Sequence, residues 1–106
     1  MISRIWHGYA LPSNADAYEA ILKSEIFIEI QDRHIVGYKG IQLFRRCLEA
    51  EVEFITLMWF ESLDALRIFA GEDYKIAVVP PKARALLSRF DTRSQHYDVK
   101  AEMSVS

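Results

Sequence analysis

Six side chains in this sequence are of types that can bind or activate an oxidisable organic molecule: His7, Tyr9, Arg45, Trp59, Tyr74 and Tyr97. His7 is the reactive candidate. An imidazole titrates near neutral pH, so it can take a proton from a phenol or an enol, or hold the anion that results. Tyr9 stands two residues on, which in a strand sets both rings on one face with Ile5. If that face looks towards helices, an imidazole and a phenol line an apolar space. The alternative is a hydrogen-bonded histidine of the core or an interface. Trp59 and Tyr74 are pocket walls or core filling. Arg45 and Arg46 are adjacent and point to opposite faces of a strand. One is expected to be solvated, and the other either pairs with Glu51 or Glu53 across a hairpin or meets an anionic substrate group, with Arg45 the candidate for that last role. His96-Tyr97 puts one polar ring on each face of a last strand. Tyr97 falls on the side of Val99, Ala101 and Met103 and is the pocket candidate, while His96 fits solvent or an interface.

Regular elements must position these groups. Ile2 to Leu11 has the β-branched and aromatic content of a strand, with Pro12 as its stop. Ser13 or Asn14 then caps a helix that carries Tyr18, Ile21 and Leu22 and runs to about Ile28. Gln31 to Lys39 reads as a loop. Gly40 to Leu48 and Glu51 to Phe60 read as a hairpin about Glu49-Ala50. The second half of the third strand, FITLMWF, is apolar on both faces, so it needs cover on both sides. One layer of helices supplies one cover, and a second copy of the chain is the simplest source of the other. Ser62 caps a second helix with Leu63, Leu66, Phe69 and Ala70 on one stripe and Gly71 as its stop. Pro81 suits the first turn of a further helix carrying Leu86 and Leu87, and a last strand alternates from Thr92 to Met103. The order β-α-β-β-α-(α)-β gives an α+β sandwich, an antiparallel sheet with helices on one face.

Composition narrows the function classes. At 106 residues the chain is expected to form one domain, 1–106. A 51% hydrophobic and 26% charged content is that of a folded protein and excludes wholesale disorder. A net charge of −2, with both signs spread along the chain, gives no case for nucleic acid or anionic membrane as partner. No apolar run approaches the roughly 20 residues that span a bilayer, and the first 20 residues lack a signal-peptide pattern, so a cytoplasmic location is expected. Cys47 is the single cysteine, and His7, His34 and His96 stand on different elements, so no metal-ligand spacing or cofactor motif is present and no cofactor is expected.

Two segments carry a family resemblance. TLMWFESLDALRIFAGEDYKIAVVPP resembles the stretch of the antibiotic biosynthesis monooxygenase-like family in which a strand ends at Trp, an acidic-Ser turn follows, and a helix leads to a short aromatic-bearing segment. HIVGYKGIQLFRR is similar to that family's entry into its second strand. The resemblance implies a ferredoxin-like fold that pairs through its sheets, the dimeric α/β barrel. It also implies a cofactor-independent monooxygenase acting on a small aromatic, phenolic or quinol-type molecule. In such chemistry the deprotonated substrate itself passes an electron to oxygen, with His7 as base and Tyr9, Arg45, Trp59, Tyr74 and Tyr97 around the substrate. A non-catalytic dimeric ligand-binding protein and a cyclase or isomerase on the same barrel are the alternatives. The haem-degrading relatives carry Asn in the first strand, Trp late in the second helix and a haem-ligating His one short helix later. Those positions fall at Trp6 or His7, at Phe69 and at Val79, and valine cannot ligate iron, so haem degradation is not expected.

Overall fold

The computed structural model describes residues 1–105. Its strands are β1 (Ile2–Ala10), β2 (Tyr38–Cys47), β3 (Val52–Phe60), β4 (Arg89–Phe90) and β5 (Gln95–Asp98). The helices are α1 (Pro12–Ile21), a π-helical turn (Leu22–Ile26), α2 (Phe27–Asp32), α3 (Leu63–Ala70) and α4 (Pro81–Arg84). All strand pairings are antiparallel, in the order β2-β3-β1-β4, with β5 also on β1. The helices cover one face, which makes this a ferredoxin-like α+β fold, as the element order implied.

Alternation along β1 decides which side chains meet the helices. Arg4, Trp6, Gly8 and Ala10 are buried, while Ile5, His7 and Tyr9 between them are half-buried. The register sets Trp6 opposite Thr56 and Ala10 opposite Val52, so the covered face of β3 holds Val52, Phe54, Met58 and Phe60. One core packs Trp6, Tyr18, Leu22 and Phe54 under the first helical run. A second packs Met58, Phe60, Ala65 and Leu66 under α3. On the opposite face Ile55, Leu57 and Trp59 of β3 stay half-buried; no helix or strand among the described residues lies over them, and Trp59 shares a depression with Val99 and Ala101.

Several local expectations change. Pro12 opens α1 rather than ending the strand, because its fixed φ suits a first helical position, and Leu11 takes the cap position without a side-chain bond. Ser13 and Asn14 therefore lie inside the first turn. The helical run continues to Asp32, past the expected end near Ile28, through the π turn in which the Phe27 N–H reaches the Leu22 carbonyl. α3 keeps its expected ends. Ser62 Oγ accepts from the Ala65 N–H at 3.2 Å, and Gly71 at φ 93° closes the helix in a conformation other residues resist. Leu63, expected on the buried stripe, is exposed.

The last strand is broken. β4 and β5 share one edge of β1; Asp91 still bonds His7 there, and Thr92 to Ser94 step away between them to meet the 71–80 strap. There Ile76 bridges Arg93, the Ala77 N–H donates to the Thr92 carbonyl and the Ser94 N–H to the Lys75 carbonyl. Asp91 explains the break. Its carbonyl accepts from Trp6 Nε1 at 2.8 Å, and its carboxylate accepts from the His7 backbone N–H and lies 2.9 Å from His7 Nδ1, so this residue serves side chains on both faces of β1.

Candidate functional site

A cavity of about 60 Å³ lies between the sheet and the helices. Trp6, Tyr18, Met58 and Phe69 supply its apolar walls, and Val78 to Pro80 of the strap form one side. Arg4 and Ser94 line it too, beside the hydroxyl-bearing Thr56 and Tyr18. Neither Arg4 nor Ser94 was singled out from the sequence. The signal for Arg4 was present, since alternation puts this cation on the covered face with Trp6 and Ala10.

Arg4 is 3% exposed and has no carboxylate in salt-bridge range among the described residues. Its Nη1 donates to the Tyr74 carbonyl and lies 2.9 Å from His96 Nε2, and Nη2 donates to the Ile76 carbonyl at 3.2 Å. The guanidinium carbon sits 5.6 Å from the Phe69 ring centre. Burial draws the Arg4 pKa down to about 10, which leaves it charged at neutral pH. His96 faces the helix side, in register with Arg4, and not solvent. Burial, and then the charges of Arg4 and Lys75, draw its pKa down to about 4. The neutral ring therefore accepts from Arg4 through Nε2.

That depression gives stability a pH dependence. An unfolded histidine titrates near 6.5, so between about 6.5 and 4 the unfolded chain binds the extra proton. The stabilisation is complete above about pH 6.5 and is lost as pH falls towards 4. Glu19, Glu51 and Glu53, whose pKa values are lowered by ion pairs and hydrogen bonds, add losses only below the ordinary carboxylate range. The urea midpoint is expected to fall between pH 7 and 5 by the equivalent of about 1 kcal/mol, after discounting for a partly solvated ring. His96→Gln should flatten that window, and an unchanged slope in the variant would remove His96 as its cause.

Gly8 supports the Trp6 wall. A Cβ there would stand 2.6 Å from Trp6 Cη2 and 3.3 Å from Leu87 Cδ2. Gly8→Ala is expected to cost about 1–3 kcal/mol and to drive the indole towards the cavity. Thermal unfolding together with the near-ultraviolet tryptophan signal checks this.

None of the six residues expected at the site lines this cavity. His7 and Tyr9 point to the open sheet face, because β1 turns its even positions, not its odd ones, to the helices. His7 Nδ1 lies 2.9 Å from Asp91 Oδ2, and the pair is about one-third exposed. It borders an open-face depression of about 320 Å³ with Phe44, Arg45, Arg46, Glu53 and Ile55, so two of the six expected residues, His7 and Arg45, share that depression. Tyr9 donates to Glu53 at 3.2 Å beneath the Arg89 guanidinium, whose carbon stands 3.7 Å from the ring centre. Arg46 pairs with Glu53 across the hairpin, as foreseen for one of the two arginines. Arg45 is tied on the helix side by Asp16 at 2.8 Å and Glu19 at 3.0 Å. Trp59 faces the open side. Tyr74 packs on the second core, edge-on to His96 with ring centres 5.1 Å apart. Tyr97 is 56% exposed, because the register opposite Ser3 turns it to the open face.

The fold defines the class: a ferredoxin-like α+β sandwich of the kind found in antibiotic biosynthesis monooxygenase-like proteins. The chain is similar over its whole length to a candidate antibiotic biosynthesis monooxygenase of Bacillus cereus, with a TM-score of 0.69, 12% identity and 97% of that chain covered. It is similar to the haem degrader MhuD of Mycobacterium tuberculosis, solved with two haems in its active site, at a TM-score of 0.63 and 14% identity over 98% of this chain and 100% of that one. Rv0793 of Mycobacterium tuberculosis matches at 0.58 and 20% identity, over 97% and 98% of the two chains. No family model and no curated protein matches the chain.

The cavity residues do not fit a haem. Of the positions that the resemblance sets against the haem degraders' Asn, Trp and His, namely Trp6 or His7, Phe69 and Val79, all but His7 line the cavity, and no histidine does. No group of three or more His, Cys, Asp or Glu side chains suited to a metal ion occurs among the described residues. Among the described residues no helix is long and apolar enough to cross a membrane.

Proposed function

We propose that this protein is a cofactor-independent monooxygenase for a small aromatic, phenolic or quinol-type molecule that enters the cavity between helices and sheet. One observation carries the reading: aromatic walls, Trp6, Tyr18 and Phe69, line a cavity with a buried cation that has no counter-ion among the described residues. The reaction converts an activated CH2 to C=O. Dioxygen gives one oxygen atom to the product and one to water, and the two CH2 hydrogens leave in that water. The substrate carbanion or phenolate supplies the electrons. The chain's part is to stabilise that anion at Arg4 in a site with little room for water. No histidine or carboxylate lines the cavity among the described residues, so the guanidinium lowers the substrate's own pKa in place of a positioned base. His7 lies across the sheet and takes no part in this cavity.

The uncovered apolar face supports a homodimer. Ile5, Ile55, Leu57 and Trp59 lie there half-buried, with Phe44 and Tyr97 exposed beside them. A second copy laid sheet to sheet would cover them. A monomeric mass by sedimentation at micromolar concentration rules this out.

Oxygen uptake with a panel of anthrone- and quinol-type compounds tests the activity. Uptake that depends on the substrate and falls in Arg4→Gln supports the reading. Turnover without oxygen replaces it with a cyclase or isomerase. A second reading, a non-catalytic ligand-binding dimer, is favoured by the small cavity and its missing base. Saturable binding without turnover in either atmosphere would establish it.

A further inference from the structure

We propose that the polar end of this cavity is a carboxylate-binding site, which takes a small, largely apolar monoanion through Arg4 and Ser94. The inference rests on the reading above only in placing the ligand in that cavity. A guanidinium carries five N–H donors. Three of Arg4's are engaged, by the Tyr74 and Ile76 carbonyls and by His96. Nε–H and one Nη2–H have no partner among the described residues. Two donors on one planar guanidinium suit the two oxygens of a carboxylate.

Ser94 supplies the independent observation. It is 6% exposed, and its Oγ is buried without a hydrogen-bond partner, the one such side-chain atom found among the described residues. Buried hydroxyls are almost always bonded, so an orphan on the wall of a cavity calls for an occupant. Water alone would satisfy the hydroxyl. It would not offset the charge on Arg4, whose three partners are neutral. A buried cation ringed by neutral acceptors stays costly until an anion arrives.

The dimensions limit the ligand. The polar end of this space of about 60 Å³ takes the carboxylate head of a compact acid. The body then lies over Phe69 and Trp6 towards the strap at Val78 to Pro80. This favours compact acids, and it disfavours di- and trianions, for which no second cation lines the cavity.

Benzoate and isobutyrate, with benzamide and isobutyramide as neutral counterparts, test the site on the full-length protein. Binding is followed by calorimetry and by the Nε–H resonance of Arg4 in the nitrogen–proton NMR spectrum. The acids are expected to bind at least about tenfold more tightly than the amides and to shift that resonance saturably. Ser94→Ala should weaken the acids and leave thermal stability unchanged or raised. Arg4→Gln should abolish their advantage, and if that variant does not fold, the wild-type resonance and Ser94→Ala decide. Equal binding of acid and amide, an unmoved Arg4 resonance, or unaltered affinity in Ser94→Ala would each overturn the proposal. Acid binding without oxygen uptake on any quinol would leave the site standing and remove the oxygenase. Quinol turnover that benzoate neither binds against nor inhibits would do the reverse.

Discussion

Phe60→Ala is expected to lose about 3–5 kcal/mol of folding stability, the largest effect of any single truncation considered. Phe60 is fully buried at the end of β3 and packs between Tyr38 and Phe69, with ring centres 5.7 and 5.6 Å away. Removing it opens a void under α3 that neighbours on a pinned strand cannot fill. Small domains hold only about 5–15 kcal/mol in total, so the urea midpoint should drop by about 2 M at ordinary slopes. The effect reaches the site, because Phe69 is shared between this core and the cavity wall. A loss under 1 kcal/mol in urea unfolding would mean that α3 collapses onto the gap.

Arg4→Met should cost about 2–3 kcal/mol and loosen the strap between α3 and α4. The estimate weighs two opposing terms. Methionine relieves a buried, unpaired charge, which by itself stabilises. Against that, the carbonyls of Tyr74 and Ile76 and the imidazole of His96 lose their donor, at about 1–3 kcal/mol for each acceptor that water cannot reach. Three abandoned acceptors outweigh one relieved cation. Amide exchange at Ala77 and Ser94, whose N–H groups tie the strap to the 92–94 segment, reports the loosening directly. If the variant were instead more stable than the parent, the guanidinium would be a burden on the fold, retained for what it binds.

Period-based reading found the architecture because burial follows simple arithmetic in most of this chain. The hairpin, the Ser62 cap, the Gly71 stop and the doubly apolar third strand each rest on local residue types, and each is present. The site was missed for a reason of equal simplicity. Alternation divides β1 into two sets, and nothing local says which set the helices cover. The chemically conspicuous set, His7 and Tyr9, was given the inner face, and one inverted choice moved both outward. Tyr97 and His96 exchanged faces in the same way. There the apolar run Val99 to Met103 suggested a continuing strand, but β5 ends at Asp98. Arg4 drew no reading at all, although its place in alternation with Trp6 and Ala10 puts it on their face. Ser94 could not be found from local pattern at all, since its burial depends on the strap crossing from Tyr74 to Pro80.

The π-helical turn at Leu22–Ile26 has a consequence for how this wall can change. It holds one residue more than an α-helix of equal rise requires, and Ser24 Oγ donates to the Ala20 carbonyl at 2.6 Å beside it. Leu22 and Ile26 within the turn and Phe27 and Ile30 beyond it all reach the cavity, a spacing that an unbroken α-helix would spread around more of its circumference. The surplus residue works as a vernier. It sets the angular position of Phe27 and Ile30 over the cavity without changing how α1 sits on the sheet.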